Sequence, residues 1–194
     1  APSGSMTTVD GFWDGGNVWR IRFRPDEQGD WSYITRCDPI EDAGLHEQEG
    51  RFICGESAGY TVFDRHGAIQ VSPNRRYFIH ADGTPFLWMG DTAWNGPLRA
   101  DDLSWAHYLE VRRQQQFNVV LWVATHWRAA AHGDEYGELA FTGRERIAIS
   151  PSFFQRLDKR VAAINQAGFL SVPVLLWAHK GANETATRLN PGFD

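Results

Sequence analysis

The chain has 194 residues, 42% of them hydrophobic, and is therefore long enough to bury a substantial core. Its formal net charge of -5 provides no basic stripe of the kind that phosphate backbones require, so nucleic acid is not an expected partner. The longest apolar runs, Val119 to Ala124 and Val172 to Ala178, are much shorter than the roughly 20 residues that span a bilayer. No transmembrane helix or membrane partner is predicted.

Two residue types could carry special roles. Cys37 and Cys54 each lie near the end of a strand-like run, and they could form a disulfide or remain buried thiols. The chain also holds nine tryptophans. Indole faces stack on the C–H faces of sugars, but they also fill protein cores, so only their positions can separate the two roles.

Residues 1–72 are typical of β-structure. In Val18 to Pro25, apolar Trp19, Ile21 and Phe23 alternate with arginines, which predicts a strand with one solvated face. Further short strands are predicted between Gly-rich turns, at Trp31 to Thr35, Arg51 to Cys54, Tyr60 to Phe63 and Ala68 to Val71. We interpret this region as the C-terminal part of a β-sandwich domain.

Strands and helices alternate in residues 73–194. Asp82-Gly83 predicts a tight hairpin between Arg76–His80 and Pro85–Met89. A helix is predicted over Asp101 to Gln116, with Leu103, Ala106, Leu109 and Arg113 at helical spacing, and a second from the Ser150-Pro151 cap to Gly168. The apolar runs Asn118 to Val123 and Phe169 to Trp177 are typical of strands covered on both faces.

This order predicts a parallel α/β sheet, with the hairpin strand Pro85–Met89 as its first strand. The strand-to-helix connections, at residues 91–100 and 125–149, are long. In parallel α/β proteins such loops surround the functional site at the carboxyl ends of the strands. We call the residues at and just after the three strand ends the rim.

The predicted rim is rich in indoles and hydrogen-bonding groups. Flat apolar faces beside a few polar groups suit a sugar, although Trp122, Trp127 and Trp177 could instead fill the interior of a barrel. The candidate substrate-binding residues are Asp91, Thr92, Trp94, His126, Trp127, Trp177 and His179.

Three other patterns favour different chemistry less strongly. Gly55-Glu-Ser57-Ala-Gly59 matches a serine nucleophile elbow, but the strand-like Tyr60–Phe63 follows where a helix is required. His126, His132, Asp134 and His179 lack the close spacing of metal ligands, so no metal is expected. Asn183-Glu184 resembles a glycosidase acid/base pair but is more typical of a solvated loop. The lack of a Gly-rich phosphate loop gives no support for a nucleotide cofactor, and none is expected.

Residues 76–194 resemble the apiosidase-like glycoside hydrolase family, whose catalytic domain is a TIM barrel. The motifs that carry the resemblance are Tyr77 to Phe86, Gly90 to Trp94, Phe117-Asn118 and Leu189 to Gly192. Upstream, Gly11 to Gly15, Trp19 to Phe23 and Gly29 to Trp31 look like later strands of the β-sandwich that commonly precedes such barrels.

The resemblance implies a glycosidase acting on plant-type or related polysaccharides, secreted or periplasmic, with retention expected by analogy with related barrels. A barrel takes roughly 250 residues, so this chain would supply only its first three strands, preceded by part of the sandwich. The remaining strands are expected from further residues or from a second chain. The catalytic carboxylates are expected on later strands, downstream of Asp194, and Asp91, Thr92 and Trp94 are expected to form the floor and wall of the sugar pocket. A non-catalytic carbohydrate-binding protein is the alternative, and a serine esterase using Ser57 is a third interpretation.

Overall fold

A computed structural model describes residues 1–56, 59–125, 129–143 and 146–175. The contacts divide the chain into two compact units, one of Ala1–Trp13 with Asn17–Ala58 and the other of Asp14–Gly16 with Gly59–Asp194. Residues 59–72 therefore group with the second unit. The domain boundary between residues 72 and 73 stays a prediction.

The first unit contains two antiparallel strand pairs. β1 (Phe12–Trp13) pairs with β2 (Trp19–Arg20), and β3 (Gly29–Ile34) pairs with β4 (Glu49–Cys54). The strand predicted over Val18 to Pro25 is thus only two residues long, because β1 offers it no longer partner. A β-sandwich stays a prediction.

Trp31 forms the centre of this unit. Its side chain is 6% exposed, its ring stacks on Phe52 with centroids 6.1 Å apart, and its indole N–H donates to the Glu27 carbonyl. Phe23 meets the same ring edge-on, as aromatic pairs commonly do. Cys37 and Cys54, for which a disulfide and free thiols were both open, are free thiols here.

In the second unit, the segment from Gly59 onwards begins with a helix where the sequence predicted a strand. α1 (Val62–His66) begins at Thr61, whose hydroxyl accepts from the Asp64 N–H while the Asp64 carboxylate accepts from the Thr61 N–H. This reciprocal capping outweighs the strand-like character of Tyr60 to Phe63, and the prediction of a strand there is wrong.

A small antiparallel sheet follows, formed by β5 (Ile69–Val71), β6 (Phe78–His80) and β7 (Pro85–Phe86). The β6–β7 hairpin confirms the predicted turn. Gly83 has a φ of 90°, and the His80 N–H donates to the Thr84 carbonyl across the turn. A residue without a Cβ adopts that left-handed backbone at little cost.

Three parallel strands form the second sheet, in the order β12 (Leu170–Val174), β9 (Val119–Val123), β8 (Gly90–Trp94). The predicted parallel sheet is therefore confirmed for these strands. The prediction that Pro85–Met89 is the first strand of this sheet is wrong, however, because the first strand is β8, which starts at Gly90, five residues after Pro85. Asp91 and Thr92 lie within a strand rather than beyond its end.

Within the described residues, the connecting segments hold three helices and a short hairpin. α2 (Gly96–Arg99) and α3 (Asp102–Gln114) lie between β8 and β9, whereas β10 (Phe141–Thr142), β11 (Ala148–Ile149) and α4 (Pro151–Gln166) lie between β9 and β12. Asp101 and Ser150 cap α3 and α4 by accepting from backbone N–H groups. Both predicted helices are confirmed. No helix in the described ranges has the length and apolarity to cross a bilayer.

One face of the parallel sheet packs against α3 and α4. We call this cluster the helix-side core; its buried members are Leu98, Trp105, Leu109, Val120, Trp122, Ala124, Ala130, Ala140, Phe153, Leu157, Ile164 and Phe169. Trp122 is 2% exposed, and its indole N–H donates to the Ser171 hydroxyl at 2.9 Å. Trp122 thus packs in the helix-side core, and its polar atom is satisfied there.

The buried face of α3 differs from the prediction. Leu103 is 84% exposed and Ala106 is exposed, whereas Trp105 and Leu109 are buried. The large indole of Trp105 sets the face that packs, and Tyr108 and Arg112 follow it at helical spacing. The predicted stripe through Leu103 and Ala106 is wrong.

The two leucines of α3 provide a matched test of this packing. We expect Leu109→Ala to lower the free energy of unfolding by roughly 2–5 kcal/mol, since it opens a cavity in the helix-side core. Leu103→Ala is expected to change it by less than about 0.5 kcal/mol. Urea unfolding followed by circular dichroism measures both. Equal losses would show that the face of α3 has been assigned incorrectly.

Candidate functional site

Three of the seven candidate residues lie in the described part of the chain: Asp91, Thr92 and Trp94, all on β8. His126, Trp127, Trp177 and His179 lie outside the described residues, as do Asn183 and Glu184. The structure therefore gives the geometry of the β8 side of the rim.

The Asp91 carboxylate faces α3. Its Oδ2 accepts from the Tyr108 hydroxyl at 2.7 Å and from the Arg112 guanidinium, while its Oδ1 accepts from the Thr92 backbone N–H at 2.8 Å. The ion pair is half-buried, with side chains 30% and 25% exposed for Arg112 and Asp91. Whether Asp91 also contacts a sugar stays a prediction.

The charges in this cluster fix one protonation state. Burial raises the pKa of Asp91, but the hydrogen bonds from Arg112 and Tyr108 and the Arg112 charge outweigh it, so the net pKa is lowered. Burial, followed by the hydrogen bond to Asp91, raises the pKa of Tyr108 to about 12. Asp91 is therefore ionised and Tyr108 protonated at neutral pH.

Tyr108 and Arg112 were not among the predicted site residues. The Arg112 guanidinium lies over the rings of Tyr108 and Phe117, at 5.1 and 5.5 Å from their centroids. Tyr108 and Arg112 follow Trp105 by three and seven residues, so this spacing already places them on the face of α3 that Trp105 buries. They were not connected with Asp91, because Asp91 had been predicted beyond the end of a strand rather than opposite α3.

The end of β8 is irregular. The ladder with β9 shifts between Thr92 and Trp94, and Trp94 has a left-handed φ of 50°. Within the described residues the helix-side core includes Ala93 and does not include Trp94. A left-handed backbone is unusual for a bulky residue and is maintained only where the surroundings impose it.

The loop after β9 is held in place by ion pairs from α4. Arg156 Nε donates to the buried Asp134 at 2.7 Å, and Arg156 Nη2 donates to Glu138 at 2.6 Å. The remaining Asp134 oxygen accepts from the backbone N–H groups of Tyr136 and Glu138. Since its oxygens are used in this way, Asp134 is a structural carboxylate of the loop.

A second arginine of α4 ties this loop to α3. Arg160 is buried, donates to Glu135 at 2.7 Å, pairs with Asp102, and donates to the Ala100 carbonyl at 2.6 Å. A buried guanidinium requires such partners because an unpaired buried charge is strongly destabilising. Arg156 and Arg160 together anchor the loop after β9 to α4 and α3.

The described residues contain no group of three His, Cys, Asp or Glu side chains arranged to hold a metal. His132 is exposed there, whereas His126 and His179 lie outside the described ranges.

Ser57 of the elbow-like motif also lies outside the described residues. The prediction that a strand follows this motif is wrong, because α1 follows it. However, β4 belongs to an antiparallel pair, and α1 begins only at Val62. A nucleophile elbow instead needs a strand-to-helix turn at the serine itself.

Solved structures share this fold, among them two glycoside hydrolases. One, described as a glycoside hydrolase, matches with a TM-score of 0.52 and 24% identity over 61% of this chain and 27% of its own length. The other, a glycoside hydrolase family 5 protein from Bacteroides vulgatus ATCC 8482, matches with a TM-score of 0.51 and 23% identity over 61% of this chain and 26% of its own. This chain therefore spans about a quarter of each and has a mixed α/β fold of the kind found in glycoside hydrolases.

Sequence profiles make the relationship specific. The profile described as "Apiosidase-like, catalytic domain" matches residues 72–192, and "Domain of unknown function (DUF5060)" matches residues 1–38. The first match covers more than half of the chain, which belongs to the apiosidase-like family. The resemblance found in the sequence is thus confirmed. No curated protein matched this chain.

The backbone of Trp94 can be tested by a pair of substitutions. We expect Trp94→Gly to be more stable than Trp94→Ala by roughly 1 kcal/mol, because only glycine adopts a left-handed φ without a steric cost. At the neighbouring position the order should reverse, with Ala93→Gly less stable than the parent by about 0.5–1 kcal/mol. Denaturant unfolding gives both differences. Trp94→Ala equal to or above Trp94→Gly would contradict the left-handed conformation.

The loop network predicts a response to acid. Hydrogen bonds from Ser150, Ser152 and Arg156 lower the pKa of Glu138 from 4.5 to about 2. A carboxylate with a lowered pKa in the folded state stabilises fully above its unfolded pKa and loses that contribution as pH falls through the folded value. The difference in melting temperature between the parent and Glu138→Gln should therefore be greatest above about pH 5 and should close towards pH 2.

Glu110→Gln is the control for this titration. The hydrogen bond from Arg113 lowers the pKa of Glu110 to about 2 as well. The Glu110 side chain is 46% exposed, against 36% for Glu138. Glu138 binds residues of a distant segment, whereas Glu110 binds its neighbours Arg113 and Gln114 on its own helix. Solvent screening makes such surface pairs weak, so its melting-temperature difference should be much smaller at every pH. A constant difference for Glu138→Gln across this range would contradict the network.

Proposed function

We propose that this chain supplies part of the substrate-binding rim of a glycosidase that cleaves plant-type or related polysaccharides. The observation that carries the proposal is the apiosidase-like catalytic-domain match over residues 72–192, on a chain whose β8 ends in an aromatic residue beside the polar Thr92. Aromatic faces beside hydroxyl groups suit a sugar, which presents apolar C–H faces and polar edges.

The catalytic carboxylates come from elsewhere in the complete barrel. Asp91 is the only acidic residue in β8, β9 and β12, and its oxygens are bound to Tyr108, Arg112 and the Thr92 N–H. Glycoside hydrolysis needs two carboxyl groups, one to protonate the leaving oxygen and one to attack carbon or activate water. We expect both downstream of Asp194, with retention by analogy to related barrels.

The remaining strands would extend the parallel sheet at its two edges. Among the described residues β8 and β12 are the edge strands, each paired only with β9. A closed barrel has no unpaired edges, so further strands, from further residues or a second chain, would pair with β8 and β12. His126, Trp127, Trp177 and His179 would then join Thr92 and Trp94 around one substrate, and secretion or a periplasmic location would bring the enzyme to its polymers.

The test uses the protein expressed from its full reading frame and assayed for sugar release from plant glycans. We expect Trp94→Ala to lower kcat/KM by about tenfold, corresponding to about 1.4 kcal/mol of lost transition-state stabilisation. Trp88→Ala is the matched control, since Trp88 precedes β8 at the opposite end of the strand and is 42% exposed. Its kcat/KM should equal that of the parent.

Binding of glycans without release would contradict the proposal and identify a carbohydrate-binding protein. Equal losses for both tryptophan variants would also contradict it, because the effect would then be one of stability rather than of the rim.

A further inference from the structure

We infer that Asp91 is a positioning residue that holds Trp94 in its left-handed conformation, rather than a sugar ligand. The inference rests on the proposed function for its effect on activity, but its structural part can be measured separately. The Asp91 carboxylate is bound by side chains of α3 and lies next to the irregularity of β8.

Both carboxylate oxygens of Asp91 accept hydrogen bonds. Oδ2 accepts from Tyr108 and Arg112, and Oδ1 accepts from the Thr92 N–H at 2.8 Å. If the carboxylate turned away, the half-buried Arg112 guanidinium would lose its counter-charge and, of its described hydrogen bonds, would keep only the one to the Gln115 side chain. The side chain is therefore held towards α3.

This carboxylate binds the backbone at the place where the β8–β9 ladder becomes irregular. The register shift lies between Thr92 and Trp94, so the N–H that Asp91 binds belongs to the residue at which the shift starts. Binding this N–H fixes the orientation of the peptide between Asp91 and Thr92. Bulges of this kind re-aim the side chains that follow them.

The backbone that follows Trp94 is restrained as well. The Asn95 side chain donates to the Ala129 carbonyl at 2.8 Å, which ties the end of β8 to the loop after β9. Asp91 and Asn95 thus fix the backbone before and after the left-handed residue. Because a bulky side chain does not favour that backbone, loss of either restraint should let it relax.

The experiment is a double-mutant cycle in the enzyme from the full reading frame, with Asp91→Asn, Trp94→Ala and the double variant. We expect Asp91→Asn to lower kcat/KM by about tenfold, mainly through KM, as a displaced substrate-positioning group does. In the Trp94→Ala background the same change should have no further effect. A loss of the same size in both backgrounds would overturn the inference, since Asp91 would then act on substrate independently of Trp94.

A second readout needs no activity. With fluorotryptophan labelling, the Trp94 resonance is assigned by its loss in Trp94→Phe, and we expect it to shift or broaden in Asp91→Asn. Tyr108→Phe removes a single hydrogen bond to Asp91 and preserves the ion pair, so we expect it to shift the Trp94 resonance in the same direction by a smaller amount. It provides the readout if Asp91→Asn folds poorly. Glu110→Gln is the matched control, because it breaks an exposed carboxylate–guanidinium pair on the same helix.

The outcomes separate the two proposals. An unchanged Trp94 resonance in both Asp91→Asn and Tyr108→Phe would overturn the positioning role even if the enzyme is active. A shifted resonance in a protein that releases no sugar would support the positioning role and contradict the proposed function.

Discussion

The rest of the second unit depends on the burial of one face of the parallel sheet beneath α3 and α4. Val120 and Trp122 on the central strand pack there against Trp105, Leu109 and the apolar side of α4. Burial of this surface is the main favourable contribution to folding, and the parallel direction brings the carboxyl ends of β8, β9 and β12 to one edge. The rim is a consequence of that packing.

Charged groups then determine how the rim is shaped. Arg112 connects α3 to β8 through Asp91, and Arg156 and Arg160 of α4 hold the loop after β9 through Asp134, Glu138 and Glu135. Buried ion pairs add little net stability compared with apolar packing, but breaking one is costly. Their effect here is to select one arrangement of strand and loop. Such rigidity would favour binding at the proposed sugar site, because less ordering would remain when a ligand binds.

The strongly patterned elements could be predicted from the sequence. Asp101, Ser150 and the apolar run at Val119 gave both long helices and the central strand because caps and continuous burial leave clear local signals. The helix α1 was missed because Val62-Phe63 suit a strand, and only the pairing of Thr61 with Asp64 opposes that preference. The first parallel strand was placed too early because Leu87 to Met89 are more strand-like than Gly90 to Trp94. Because of this misplacement, the direction of the Asp91 side chain towards α3 could not be predicted from the sequence, since the alternation of side chains along a strand depends on where the strand lies. The left-handed φ of Trp94 has no local sequence signal, since a bulky residue rarely adopts that backbone.

The most direct test of the account is the crystal structure of the protein from the full reading frame with an oligosaccharide bound. We predict a sugar ring against the Trp94 indole at the carboxyl edge of β8, with the glycosidic oxygen between two carboxyl groups from residues beyond Asp194, and with Asp91 still paired to Arg112. A sugar bound away from this edge would contradict the account. So would an Asp91 carboxylate turned from α3 to within hydrogen-bond distance of the glycosidic oxygen.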